Sequence, residues 1–301
     1  MDRTRSKLSV GILTYNRKDA VLRAIQSVYD QIVPEVEIVV VDSASTDGTS
    51  DAIRQQFPQV RLIRLPRNLG CPTGRNHVLA NCTGKYIINL DDDGYLGEGA
   101  IEKVIETFDS DPSVGIIAMR QRYTDEAESG RAFGEDGKET VMFYGGVSAF
   151  RGAMLDKTGY YPDDLFLYYE ESFLGLRAMD AGYRILSRFD IVMWHPRVGG
   201  SGIRGGRRGS GEEGNRWDYY RFRNALLVVT RLFPGGLMLK YLILRLGSYA
   251  LISIRRRTFH KYLCAAAYVL FYLPVTLISR RPCRPETIKK YFRLRDYNRS
   301  R

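Results

Sequence analysis

Tyr86-Ile87-Ile88-Asn89-Leu90-Asp91-Asp92-Asp93-Gly94 decides how this chain is read. An apolar run of this length, ended by turn residues, predicts a strand buried on both faces. The three carboxylates then sit at its C-terminal end, the edge at which open α/β sheets bind ligands. Adjacent carboxylates repel one another, so a cation is expected beside them. A hard divalent ion with oxygen ligands is the simplest candidate, and a solvated acidic turn is the plainer alternative.

Outward from this stretch the same pattern repeats. Leu8–Thr14 predicts a strand that ends in a loop at Asn16, and Val36–Val41 predicts one that ends in Asp42. Val60–Leu65 predicts a third. Helical spacing lies between them, with Val21, Leu22, Ile25 and Val28 on one face. Strands alternating with helices imply βαβ units, a mostly parallel sheet and right-handed crossovers. Asn16, Asp42 and Asp91–Asp93 are therefore expected to face one crevice. Further along, a helix is expected over Gly99–Phe108 and strands over Val114–Met119 and Phe143–Arg151. The polar Thr124–Glu139 reads as a loop or hairpin. Leu165–Glu171 reads as an aromatic strand ending in two acids, followed by a helix over Ser172–Ala181. Tyr183–Leu186 and Ile191–His195 read as two more strands. No internal repeat is visible.

The chain has 301 residues and a net charge of +11, unevenly spread. Residues 1–196 hold 22 basic against 29 acidic residues, and residues 197–301 hold 23 against 5. This predicts an acidic globular body and a basic region that meets something anionic. In the basic region, Leu226–Val229, Leu237–Leu244 and Tyr249–Ile252 are apolar blocks, and Tyr262–Ser279 is 18 residues without a formal charge. That approaches the about 20 residues needed to span a bilayer. Pro274 within it and arginines on both sides favour helices lying in the headgroup layer. Basic residues interleaved with long aliphatic blocks suit an anionic membrane surface and not nucleic acid. Cys71, Cys82, Cys264 and Cys283 have no CxxC spacing, so neither a zinc site nor a disulfide framework is expected, and a reducing compartment fits. Met1–Lys7 is polar and no apolar signal-peptide core follows it.

Taken in order, Ile12-Leu13-Thr14-Tyr15-Asn16-Arg17, Val40–Thr49, Asn68-Leu69-Gly70 with Arg75-Asn76, and Asp91–Asp93 resemble the family 2 glycosyltransferases with a GT-A fold. Gly145-Gly146, Phe166–Glu171, Gly182–Ile185, His195 before Gly199-Gly200-Ser201, and Tyr219-Tyr220 before Arg223-Asn224 extend the likeness to bacterial rhamnosyltransferase-like and surface-polysaccharide members. It covers roughly residues 8–225. The domain organisation expected is an α/β GT-A domain over 1–225 and membrane-associated helices over 226–301.

The resemblance implies inverting transfer of a sugar from a nucleotide-sugar to an acceptor hydroxyl, with Mg²⁺ or Mn²⁺ against the departing diphosphate. It implies Asp93 as direct metal ligand, Asp91 as donor or metal contact, and Asp92 as the least essential of the three. Thr14, Asn16 and Asp42 would line the nucleotide pocket, and Arg75 would meet the diphosphate or the Asp cluster. Glu171 would be the base that takes the acceptor proton, with Glu170 the lesser candidate. Phe173 stands where many relatives carry a further Asp, and Gly175 replaces a bulkier apolar residue. His195 would ligate the metal or hold the diphosphate, with Arg204, Arg207 or Arg208 closing over it from the Gly199–Gly214 loop. The expected acceptor is a lipid-linked or surface-polysaccharide intermediate at the cytoplasmic face of the cell membrane. Two rival functions are a nucleotidyltransferase making nucleotide-sugars, and a non-catalytic membrane-bound sugar-binding protein. The first would normally carry a Gly-rich, cationic triphosphate loop, which Val10–Arg17 lacks.

Overall fold

The computed structural model describes residues 6–31, 33, 35–123, 130–131, 133–195 and 217–299. The Gly199–Gly214 loop with Arg204, Arg207 and Arg208 lies outside the described residues, as do residues 124–129 and 132 of the Thr124–Glu139 excursion.

In chain order the elements of the sheet domain are β1 (Ser6–Thr14), α1 (Lys18–Tyr29), β2 (Val36–Asp42), α2 (Thr49–Gln56), β3 (Arg61–Arg64), α3 (Cys71–Asn81), β4 (Gly84–Asp91), β5 (Tyr95–Leu96), α4 (Ala100–Ser110), β6 (Val114–Tyr123), β7 (Gly130–Arg131), β8 (Glu139–Thr140), β9 (Val147–Arg151), α5 (Gly152–Thr158), α6 (Glu170–Asp180) and β10 (Arg184–His195). The sheet order is β3-β2-β1-β4-β9-β6-β10-β5. The neighbours β3, β2, β1 and β4 are mutually parallel, as are β6 and β10, while β9 runs antiparallel between β4 and β6. This is the mostly parallel sheet that the sequence pattern predicts, and the GT-A architecture that the resemblance implies. One consequence positions the site: β1, β2, β4 and β10 end at the edge where β9 begins.

Period-two alternation puts a core on each face. Ile38, Val40, Tyr86, Ile88 and Leu90 pack with α1 and α4, through Val21, Ile25, Val104 and Phe108. Val39, Val41, Ile87 and Phe150 pack with α3, α5 and α6, through Val78, Leu79, Met154 and Leu174. Asn89 and Asp91 share a face with Ile87, so both point toward the α3–α6 layer.

Three expectations are corrected. Leu165–Glu171 is not a strand: Leu165 packs with Leu226 and Leu227, Phe166 stacks on Tyr220 at 5.2 Å, and the run covers a helix instead of joining the sheet. Glu170 and Glu171 are the first turn of α6. Tyr183–Leu186 and Ile191–His195 belong to one strand, β10, whose register against β6 slips between Arg188 and Val192. The break between the two runs is this bulge, residues 189–191, with Arg188 just before it forked onto Asp190. Finally, of Phe143–Arg151 only Val147–Arg151 is strand. Phe143–Gly146 turns at the mouth of the crevice.

Four helices follow: α7 (Asp218–Leu232), α8 (Gly235–Arg255), α9 (Phe259–Ser279) and α10 (Pro285–Arg299). Leu237–Leu244 and Tyr249–Ile252, separate blocks in the sequence, are one helix, α8. The helix α7 runs across the 225/226 position, and Leu226 to Val229 are buried. It is the hub, meeting α6 at Leu176, α8 at Tyr249, α9 at Ala265 and Val269, and α10 at Ile288. Ion pairs stitch the basic helices to acidic partners: Arg231–Asp164, Arg256–Asp218 (2.9 Å), Arg284–Asp180 (3.4 Å) and Lys290–Glu139 (2.6 Å). Both α8 and α9 are long and apolar enough to cross a membrane, and their most apolar windows are only 11% and 17% buried.

Candidate active site

The three aspartates leave β4 in different directions, Asp91 toward Arg75 and Asp92 and Asp93 toward a shared Arg17. The Asp91 N–H donates to the Gly146 carbonyl at 3.0 Å, and its Oδ1 accepts from Arg75 Nη2 at 2.7 Å. Asp92 is buried and accepts from Arg17 Nη1 at 3.0 Å. Asp93 accepts from the same Arg17 nitrogen, and its Oδ1 lies 2.9 Å from His195 Nε2. Burial pushes Asp92 up to about 6 against the charge of Arg17. Burial also acts on Asp93, but His195 and Arg17 outweigh it and hold that carboxyl below its ordinary value.

Asp91, Asp93 and His195 each present one ligand atom, and these three atoms lie within 4.8 Å of one another. Two carboxylate oxygens and one imidazole nitrogen are a donor set that suits Mg²⁺ or Mn²⁺, the nitrogen favouring Mn²⁺. The residues fit the ion that the sequence implies.

Gly145 and Gly146 join this group to the acids of α6. The Gly145 N–H donates to Glu171 Oε1 at 3.2 Å, and its carbonyl accepts from Asn89 Nδ2. A Cβ on Gly145 would collide with the Arg75 guanidinium, and one on Gly146 with the Asp91 carboxylate. Only glycine lets the backbone approach both side chains this closely. Arg75, from α3, is thereby clamped between β4 and this turn, with 12% of its side chain exposed.

Glu171 is half-buried and Glu170 is 3% exposed, with its Oε2 lacking a hydrogen-bond partner among the described residues. Burial raises both, the charge of Arg75 opposes the rise, and each acid disfavours ionisation of the other. A half-buried carboxyl with raised basicity, touching the turn that packs against Arg75 and Asp91, can accept a proton in the crevice.

The remaining expected residues form a second arm. Thr14 ends β1 and is buried. Asn16, in the left-handed region at φ 51°, receives the Thr46 N–H at 2.8 Å and gives its own N–H to Ser45 Oγ at 2.8 Å. Asp42 is fully buried and accepts from the Ser45 N–H at 2.8 Å and from the Ser50 hydroxyl. Asn16 and Asp42 thus brace the loop after β2, and among the described residues their hydrogen bonds go to that loop and not to the Asp91–Glu171 group. Three contributors carry no role in the sequence reading: Arg17, Asn89 and Asn224. Asn89 had a signal, being a polar residue inside an apolar strand, two positions before Asp91 and so on its face.

Residues 9–157 match the family model "Glycosyl transferase family 2". TuaG of Bacillus subtilis (strain 168), named for teichuronic acid biosynthesis, is 33% identical over 108 residues, 34% of this chain and 43% of that one. ExoO, a succinoglycan biosynthesis protein of Rhizobium meliloti (strain 1021), is 36% identical over 100 residues, 33% of this chain and 29% of that one. The chain thus spans less than half the length of these relatives. Among solved structures, residues 1–349 of S. aureus TarS in complex with UDP-GlcNAc superpose with a TM-score of 0.65 at 17% identity, covering 98% of this chain and 92% of that one. The mannosyltransferase PcManGT from Pyrobaculum calidifontis, in complex with GDP-Man and Mn²⁺, gives 0.57 at 19% identity, over 99% and 87%. At such identities the likeness is one of fold.

Proposed function

We propose that this chain, which belongs to the family 2 glycosyltransferases, moves a sugar from a nucleotide-diphosphate sugar to an acceptor hydroxyl with inversion at the anomeric carbon. The observation that carries the reading is the convergence of Asp91, Asp93 and His195 on one side of the Gly145–Gly146 turn and of Glu171 on the other. Glu171 takes the acceptor O–H proton as that oxygen bonds to the anomeric carbon and the bond to the diphosphate breaks. The Gly145 N–H fixes the orientation of Glu171, leaving its second oxygen for the proton. Arg75 and Arg17 hold Asp91 and Asp93 in place. A Mg²⁺ or Mn²⁺ ion held by Asp91, Asp93 and His195 would act as a Lewis acid that offsets charge on the leaving diphosphate. PcManGT, solved with GDP-Man and Mn²⁺, supports a metal-assisted site on this fold.

Thr14, Asn16 and Asp42 are assigned to the nucleotide side. In this role Asp42 acts through the loop it braces. The names of TuaG and ExoO, which speak of teichuronic acid and succinoglycan biosynthesis, support a polysaccharide acceptor. We propose further that this acceptor is a lipid-linked or surface-polysaccharide intermediate at the cytoplasmic face of the cell membrane, with the exposed apolar α8 and α9 in the headgroup layer.

A thermal-shift screen of nucleotide-sugars with Mn²⁺ identifies the donor, since a ligand of the native state raises apparent stability. With that donor, release of nucleoside diphosphate on transfer is expected. Release of inorganic pyrophosphate from a triphosphate would point to the nucleotidyltransferase, and donor binding with neither release would point to the non-catalytic alternative.

A further inference from the structure

A cavity of about 470 Å³ opens between α6, α7 and α9, and none of its lining residues belongs to the Asp91–Glu171 group. Four guanidinium groups line it, from Arg177, Arg231, Arg280 and Arg281, against one carboxylate, Asp164. Two of these cations are committed to the fold. Arg231 is forked onto Asp164, with Nη1 2.8 Å from Oδ1. Arg280 Nη1 donates to the Phe233 carbonyl at 2.9 Å and the Thr230 carbonyl at 3.2 Å. The other two differ. Arg177 makes one long bond, 3.4 Å to the Arg281 carbonyl, and neither Arg177 nor Arg281 is paired with a carboxylate among the described residues.

The walls are apolar, formed by Phe173, Leu227, Leu232 and Val275. Val275 also belongs to an outward stripe of α9. Phe271, Val275 and Ile278 stand at helical i, i+4, i+7 spacing and are 78%, 64% and 87% exposed. A cationic recess therefore opens beside an exposed apolar stripe on the same helix.

We propose that this cavity seats the phosphate headgroup of a membrane lipid, whose chain lies along Phe271, Val275 and Ile278. Guanidinium forks match phosphate oxygens in geometry and charge. A soluble phosphate would use the recess alone and give no role to the apolar stripe beside it. The inference rests on the membrane attachment proposed above and deepens it: attachment is by a defined headgroup site as well as by general adhesion. The helix α6 links the two sites, carrying Glu171 in its first turn and lending Phe173 and Arg177 to the cavity.

The test measures co-sedimentation of the full chain with phosphatidylcholine vesicles carrying either phosphatidic acid or phosphatidylserine, matched in zeta potential. The wild type should prefer phosphatidic acid by about fivefold or more, the scale of one well-placed cation near a membrane. The double variant R177Q/R281Q should lose that preference and still bind both vesicles. K289Q/R293Q, which removes as much charge from α10, should keep it. Equal wild-type binding to the two lipids, or a preference that survives in R177Q/R281Q, overturns the headgroup site and leaves membrane attachment standing. Failure to bind either vesicle overturns attachment and the headgroup site together. A thermal shift with inorganic phosphate that depends on Arg177 and Arg281, without any lipid preference, would make the cavity a soluble-anion site and overturn the lipid assignment.

Discussion

The three adjacent aspartates divide two arginines and a histidine among them, and that division sets what each can do. Asp91 belongs to Arg75, Asp92 to Arg17, and Asp93 to Arg17 and His195. The triplet, Arg75 and the two glutamates are legible in the sequence because acids at a strand end and a cation after a glycine loop are local patterns. Arg17 is not, because its partners lie 75 and 76 residues away and only the β1–β4 pairing brings them together. Gly146→Ala would drive a methyl into the Asp91 carboxylate. It should cost the donor-dependent thermal shift with Mn²⁺ while leaving the circular dichroism spectrum unchanged, and an unaltered shift would remove Asp91 from the donor site. Glu171→Gln should lower transfer by about 10²–10⁴-fold with donor binding retained, the usual worth of a positioned base. The working form of Glu171 is the carboxylate, and burial raises its pKa. Transfer should therefore fall as pH drops, beginning above the ordinary glutamate range. Glu170→Gln should keep transfer and leave that acid limb in place, since burial holds Glu170 protonated up to about pH 8 and it carries no like charge at lower pH. Loss of transfer in E170Q with survival in E171Q would exchange their roles.

The elements that hold these residues were legible wherever one period ran unbroken, as in β1, β2, β4 and α1. Leu165–Tyr169 misleads because its apolar side chains find their partners on α7, a contact no local pattern announces. The chain enters α6 through Tyr168 and Tyr169, both left-handed at φ 72° and 71°. Two such residues cost on the order of 1–3 kcal/mol each. Asn224, fully buried on α7, offsets this cost by donating from Nδ2 to the carbonyls of Leu167 at 2.7 Å and Tyr168 at 2.9 Å. Asn224→Ala would leave both carbonyls short of a donor and should destabilise the chain by about 1–3 kcal/mol. Because the turn aims Glu171, kcat should fall while the donor KM holds. Chemical denaturation and steady-state kinetics on one preparation would check both, and an unchanged kcat would reduce Asn224 to a packing residue. The Tyr169 and Tyr249 hydroxyls, 2.6 Å apart, tie the same turn to α8.

At the scale of the whole molecule, the sequence marks the C-terminal region as apolar and basic, and the structure shows two uses for each property. Leu226 and Val229 are core, while Phe271 and Ile278 face outward. A hydropathy pattern cannot separate these, because burial depends on where α7 lies. The outward residues support few internal contacts, so F271E/I278E should abolish vesicle binding with little change in melting temperature. Retained binding would take α9 out of the membrane interface. The cations divide in the same way, since Arg231, Arg256, Arg284 and Lys290 are spent on carboxylates of the protein's own body. Charges neutralised within the fold release no counterions when the protein meets a surface. Adhesion to anionic vesicles should therefore weaken with added salt much less steeply than 23 basic residues in the last third of the chain suggest. The protein's tolerance of ionic strength is set by the few cations that its own acids leave unclaimed.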